Sequence, residues 1–197
     1  MRTRDTDKEK LVKEKAIEQI VTDGIQAFSM NKLAKACSIS VATLYIYYKD
    51  KDDLIVQIGS EIGEKFFSTA IRDFTSDMGF REGLWQQWQN RASFALDSPV
   101  EVKCFEAMKH TPYSECIMKS GSLSHFKELL DAFSKNAIKN NELIELPLDV
   151  FWSVAYGPLY TMLNFHREGK ALGGRPFKLT EEKMKLAFES VIKALTP

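Results

Sequence analysis

The stretch MNKLAKACSISVATLYIYYKDKDDL, residues 30–54, decides the fold. Met30, Leu33 and Ala34 recur at helical spacing, and Ser29 stands before them as a helix N-cap. Ser38-Ile39-Ser40 breaks that pattern, and Ser40 is placed to cap a second short helix over residues 41–47. Lys49 to Asp53 then opens a long helix. Asp50 is its cap, and Asp52 and Asp53 lie where the helix dipole favours negative charge. Upstream, Leu11, Ala16, Ile17, Ile20 and Val21 form an apolar stripe that stops at Gly24, a residue suited to a helix C-terminus. Three short helices therefore fit within residues 7–48, the last two joined by a three-residue turn. That is the layout of a helix-turn-helix.

Such a unit presents the N-terminal end of its last helix to a DNA major groove, while the preceding helix crosses the backbone. Helix N-termini, hydroxyls and a lysine then meet phosphates. Ser29, Ser40, Thr43, Tyr45, Tyr47 and Lys51 supply those groups here. Without further context packing is the favoured role for Tyr45 and Tyr47, and Tyr48 is read as core.

In one register, Leu33-Ala34, Ile39-Ser40, Thr43-Leu44-Tyr45, Tyr48 and Lys51 followed by acids and Leu54 resemble the signature of the TetR family of bacterial transcriptional regulators. The resemblance covers about the first quarter of the chain. It implies that Val41, Ala42 and Tyr45 face base edges, that Ser29, Thr43, Tyr47 and Lys51 hold phosphates, and that Leu33, Ala34, Ile39, Leu44 and Tyr48 are core. There are two departures from the pattern. Ser38 stands where a glycine is usual, which costs about 1 kcal/mol if the backbone is left-handed. Val41-Ala42 replaces the usual Lys-Gly, removing a cation and adding methyl surface that suits a thymine methyl.

The 197 residues are 44% apolar, enough for a real core, and the formal net charge is zero. Residues 1–51 carry ten Lys/Arg against seven Asp/Glu, so positive charge gathers at the helix-turn-helix end and an equal excess of negative charge lies beyond it. Residues 1–15 are studded with charge and have no apolar run, so no secretory leader is expected. The apolar stretch 150–163 is too short to span a membrane and contains Gly157-Pro158. Cys37, Cys104 and Cys116 form no CxxC and read as reduced thiols in a cytoplasmic protein.

Helical periodicity continues to the end. The long helix is expected to reach about residue 78, followed by helices at 81–97, 99–110, 123–140, 147–168 and 180–195. Pro99 and Pro147 fall where a first turn tolerates proline. Gly157-Pro158 should kink the helix it interrupts. The fold expected is all-α: an N-terminal three-helix bundle with a helix-turn-helix over residues 1–50, then a larger antiparallel helical domain for ligand binding and dimerisation over 51–197.

Aromatics crowd that second part. Trp85, Trp88, Phe105, Phe126, Trp152, Tyr156 and Tyr160 are candidates to line an apolar ligand cavity, with His110 and Tyr113 as polar handles. The same list also describes an ordinary bundle core. His110, His125 and His166 have no metal-ligand spacing, and no P-loop, GxSxG or GxGxxG occurs, so neither a metal, a cofactor nor catalysis is expected. Met184, Ala187, Phe188, Val191, Ile192 and Leu195 make an apolar face near the C-terminus, read as part of a homodimer interface. The expected partners are double-stranded DNA at a palindromic operator, a small hydrophobic or aromatic ligand that releases a repressor, and a second copy of the chain. The alternative is a helical small-molecule-binding protein or enzyme with no DNA-binding role, which turnover or ligand binding without DNA affinity would reveal.

Overall fold

The computed structural model describes residues 6–109, 111–117 and 121–197. Among these the chain is all-helical: α1 Thr6–Asp23, α2 Met30–Ala36, α3 Val41–Tyr47, α4 Lys51–Ala70, α5 Phe80–Asp97, α6 Pro99–Lys109, α7 Tyr113–Ile117, α8 Gly121–Lys139, α9 Leu148–Glu168 and α10 Glu181–Leu195. A single 3-10 turn, Leu172–Gly174, sits beside an isolated bridge between Lys170 and Pro176.

The chain divides into two compact units, Met1–Lys65 with Ser98–Leu123, and Phe66–Asp97 with Ser124–Pro197. This partition differs from the expected division at residue 50. The reason is that α1 packs along α6. Lys13 of α1 pairs with Glu61 of α4 at 2.5 Å, and Lys65 of α4 pairs with Glu101 of α6 at 2.7 Å. The start of α4 and all of α6 thus complete the first unit.

In that unit α1 buries Val12, Ala16 and Ile20 and stops at Gly24, whose φ of +82 only glycine adopts freely. Leu33, Ala34, Leu44, Tyr48, Leu54, Ile55 and Ile58 are buried with them. In the second unit, α5, α8, α9 and α10 enclose Phe80, Leu84, Trp88, Phe133, Tyr156, Leu159, Phe188 and Leu195.

Several local expectations change. Helix α4 ends at Ala70 instead of near 78, because Arg72 and Phe74 donate to Thr69 and Ile71 in tight turns and Asp73 takes φ +56. The turn still buries Phe74, which is why its apolar spacing looked helical. The short helix α7 was not expected. Helix α9 runs through Gly157-Pro158 as one helix over the span the sequence predicted. Met184, Phe188, Val191, Ile192 and Leu195 are all buried in their own unit. This corrects their assignment to a dimer face: they form the intramolecular packing of α10 on α9 and α5. The large apolar side chain that α10 leaves in solvent is Leu186, 72% exposed.

Candidate functional site

The turn between α2 and α3 is held by a Schellman motif. The amide of Ser38 donates to Lys35 O at 3.1 Å and that of Ile39 to Ala34 O at 3.0 Å. Ser38 takes φ +54, the left-handed conformation that its place in the motif requires. Ser40 then caps α3, its hydroxyl accepting from the Thr43 amide at 3.1 Å and lying 2.8 Å from the Thr43 hydroxyl. Ser29 begins α2 in extended conformation, and its hydroxyl makes no capping bond. At the start of α4, Asp50 accepts from the Asp53 amide at 2.8 Å, while the Asp53 carboxylate accepts from the Lys49 amide at 2.9 Å. The Gln57 side chain, and after it the Lys49 amide, hold the Asp53 carboxyl below its ordinary range.

Helix α3 is thereby fixed with one face inward. Leu44 is fully buried and Tyr48 nearly so, while Ala42, Tyr45 and Ile46 are exposed and Val41, Thr43 and Tyr47 are half-buried. Ile46, 63% exposed, stands beside Tyr45 on the outward side of α3, and the sequence pattern did not single it out. Lys51 is half-buried. Its ammonium donates to Ile25 O at 3.2 Å and lies 5.8 Å from the Phe28 ring centroid.

The second unit contains a different kind of centre. Arg91 of α5 is 1% exposed, and among the described residues no carboxylate is within ion-pair distance of it. Its Nη1 donates to the Tyr160 hydroxyl at 2.7 Å, and Nη2 makes a long 3.5 Å contact to Gln87 Oε1. Tyr156, 1% exposed, donates to the same Gln87 oxygen at 2.6 Å. Burial pushes the Tyr156 phenol up to about 12, and the Arg91 charge opposes that rise. Rings of Phe66, Phe126, Trp152 and Tyr156 surround the guanidinium at 5.6, 5.4, 5.1 and 4.2 Å. Arg91 Nε and Gln87 Nε2 are buried with no hydrogen-bond partner.

Residues 7–58 match the family profile described as "Bacterial regulatory proteins, tetR family". An HTH-type transcriptional regulator of Haemophilus influenzae is 27% identical over 173 residues, 88% of this chain and 87% of that protein. A TetR family transcription regulator of Marinobacter aquaeolei superposes with a TM-score of 0.80 at 28% identity, over 100% of this chain and 99% of that one. The chain belongs to the TetR family. DNA binding through the helix-turn-helix and regulation of transcription are its function class. A transcriptional regulator FadR from Bacillus subtilis, solved in complex with stearoyl-CoA, shares the fold, with a TM-score of 0.67 at 17% identity over 94% of this chain and 96% of that one.

Within this TetR-family chain, the nine aromatic and histidine candidates for a ligand site do not fall together. Phe126, Trp152, Tyr156 and Tyr160 gather around Arg91. Trp88 is fully buried, its indole donating to Ala155 O at 2.8 Å, so it serves as core. Trp85 packs edge-on to Phe188 at 4.9 Å and lines a groove of about 780 Å3 with Phe80, Arg81 and Ile192. Phe105 and Tyr113 belong to the first unit, where the Tyr113 hydroxyl donates to Asp52 at 2.6 Å. Burial, then that bond, pushes the Tyr113 phenol up to about 12. His110 lies outside the described residues. Among the described residues no group of three or more His, Cys, Asp or Glu could hold a metal ion, and no described helix is long and apolar enough to cross a membrane.

Sequence reasoning missed Arg91 and Gln87. A signal existed: they sit four apart on α5, with Leu84 and Trp88 each three residues before them, so the spacing carries polar groups inward with the core face.

Proposed function

We propose that this chain acts in the cytoplasm as a homodimeric repressor on a palindromic operator, released by a small ligand with an apolar body held in the second unit. The observation that carries the reading is the exposed Ala42-Tyr45-Ile46 face of α3, standing on a buried Leu44 and Tyr48. Apolar surface of that kind is rarely left bare on a short, firmly capped helix, and methyl-rich contact suits thymine edges. Ala42, Tyr45, Ile46 and the half-buried Val41 read bases. Ser29, Ser40, Thr43, Tyr47 and Lys51 hold phosphates, Lys51 with the N–H groups its single bond to Ile25 leaves over.

A two-fold dimer matches an inverted repeat, and the exposed Leu186 of α10 gives it an apolar contact. Trp152, Tyr160 and Phe126 are the aromatics assigned to the ligand. FadR, a regulator of this fold, was solved with stearoyl-CoA bound, which supports ligand binding in a protein of this fold. Ligand and DNA favouring different conformations supplies the coupling.

The test is a selection from random duplexes at low salt with the purified full-length protein, followed by titration of the enriched duplex at rising salt. An enriched inverted repeat whose affinity falls steeply with salt is expected. Recovery of no repeat overturns the reading.

A further inference from the structure

We propose that Arg91 anchors the acid group of the effector, and that the effector is a monocarboxylate with an apolar body. This rests on the reading of the second unit as the ligand-receiving part and names the ligand class.

A buried ion without a counter-charge costs several kcal/mol, and proteins avoid it unless something compensates. The guanidinium keeps its charge in proteins. Here the rings and neutral hydrogen-bond partners around Arg91 soften that cost but leave one net positive charge in the interior. The polar inventory is lopsided in the same sense. Arg91 Nε and Gln87 Nε2 are donors that lack acceptors, while the Gln87 oxygen already takes the Tyr156 phenol. Surplus donors around a surplus cation are complementary to an acceptor-only anion.

The geometry favours a carboxylate. The edge formed by Nε and Nη2 is the one with a vacant donor and a long contact, and a guanidinium edge offers two parallel N–H groups at carboxylate spacing. One cation balances a single negative charge, whereas a phosphate dianion would leave an excess. Phe66, Phe126 and Trp152 then meet the apolar body.

Access is along α9. Trp152 and Tyr160 flank the buried Tyr156 at intervals of four and are themselves half-exposed. Between them Pro158 offers no N–H to the Val154 carbonyl, and Gly157 has open space where a side chain would stand. Trp152 and Tyr160 are therefore the side chains that stand between solvent and the Arg91 centre.

The experiment titrates the full-length protein at neutral pH with octanoate and 4-phenylbutanoate, each against its own primary amide, and with octyl phosphate. Tryptophan fluorescence and melting temperature are the readouts, and operator binding is followed in parallel. At least one acid should bind about tenfold or more tighter than its amide, the scale of a hydrogen bond to a charged group, and octyl phosphate should bind no tighter than octanoate. Arg91→Gln should erase the acid preference while amide binding persists. Arg91→Lys, which keeps charge but not the fork, should restore part of it. Should Arg91→Gln fail to fold, the acid-to-amide ratio of the wild type decides alone. Equal binding of acids and amides, an acid preference retained in Arg91→Gln, tighter binding of the phosphate, or no binding of either acid at millimolar concentration each overturns the assignment. Operator release by acids and amides alike would sink the anchor and leave the sensor. Acid binding with no effect on operator affinity would sink the sensor and leave the anchor.

Discussion

The guanidinium carbon of Arg91 lies 4.2 Å from the ring centroid of Tyr156, and each side chain is only 1% exposed. The phenol also donates to Gln87 at 2.6 Å, so one residue both stacks on the buried cation and fixes the amide beside it. Tyr156→Phe keeps the ring and removes the donor, and should cost about 1–3 kcal/mol in urea unfolding. Because burial raises the folded-state phenol to about 12, above the ordinary 10, the native state holds its proton longer than the unfolded one. Its contribution is complete below pH 10 and is lost as pH rises from 10 to 12. Tyr113, also raised to about 12, acts in the same window. The Phe variant should therefore lose less melting temperature than wild type between pH 9 and 11.5.

Ser38 occupies a left-handed position at φ +54. Ser38→Gly should relieve it, offset in part by the freer unfolded chain, for a net gain of about 0.5–1 kcal/mol. Melting temperature by calorimetry checks this. A loss of stability would mean that the serine hydroxyl repays its backbone strain.

Lys51→Ala should weaken specific and non-specific duplexes alike and reduce the salt slope by about one. Since Lys51 also bonds Ile25 O, a small fall in melting temperature should accompany it. Tyr45→Ala and Ile46→Ala should instead blunt sequence preference and leave the salt slope unchanged. Fluorescence anisotropy at several salt concentrations separates the two behaviours.

Leu186 and Phe188 lie two residues apart on α10 with opposite surroundings, the first 72% exposed and the second 3%. Leu186→Asp should shift the oligomer toward a folded monomer. Phe188→Asp should unfold the second unit, because its charge would replace a ring packed between Trp85 and Trp88. Sedimentation equilibrium with circular dichroism distinguishes dissociation from unfolding.

Cys104 is fully buried, and burial, with Glu101 adding, pushes its thiol up to about 12. Little thiolate exists at neutral pH, so iodoacetamide at pH 8 should leave Cys104 unlabelled in the native protein and label it in denaturant, as read by peptide mass spectrometry.

The reading head was legible because its physics is local. Caps such as Ser40 and Asp50, and the left-handed turn at Ser38, depend on neighbours within a few residues. The helix pattern of the second part was legible for the same reason, apart from α7 and the end of α4. The buried centre around Arg91 was not. An arginine in an amphipathic pattern reads as a solvated face, so the core-face spacing that Arg91 shares with Leu84 and Trp88 was passed over, and the packing of α9 against α5 is what shows it enclosed. Likewise Phe188 and Leu195 were visibly apolar, but spacing alone does not say whether such a stripe meets its own chain or another.

The first unit draws residues from both sides of α5, taking α6 and α7 from beyond it. It is thus no detachable cassette. A chimera that grafts another operator preference by exchanging residues 1–50 would set a foreign α1 against this chain's α6 and would leave Glu61 without Lys13. Specificity transplants into this scaffold should exchange α2 and α3 alone, or carry residues 98–123 along with the head.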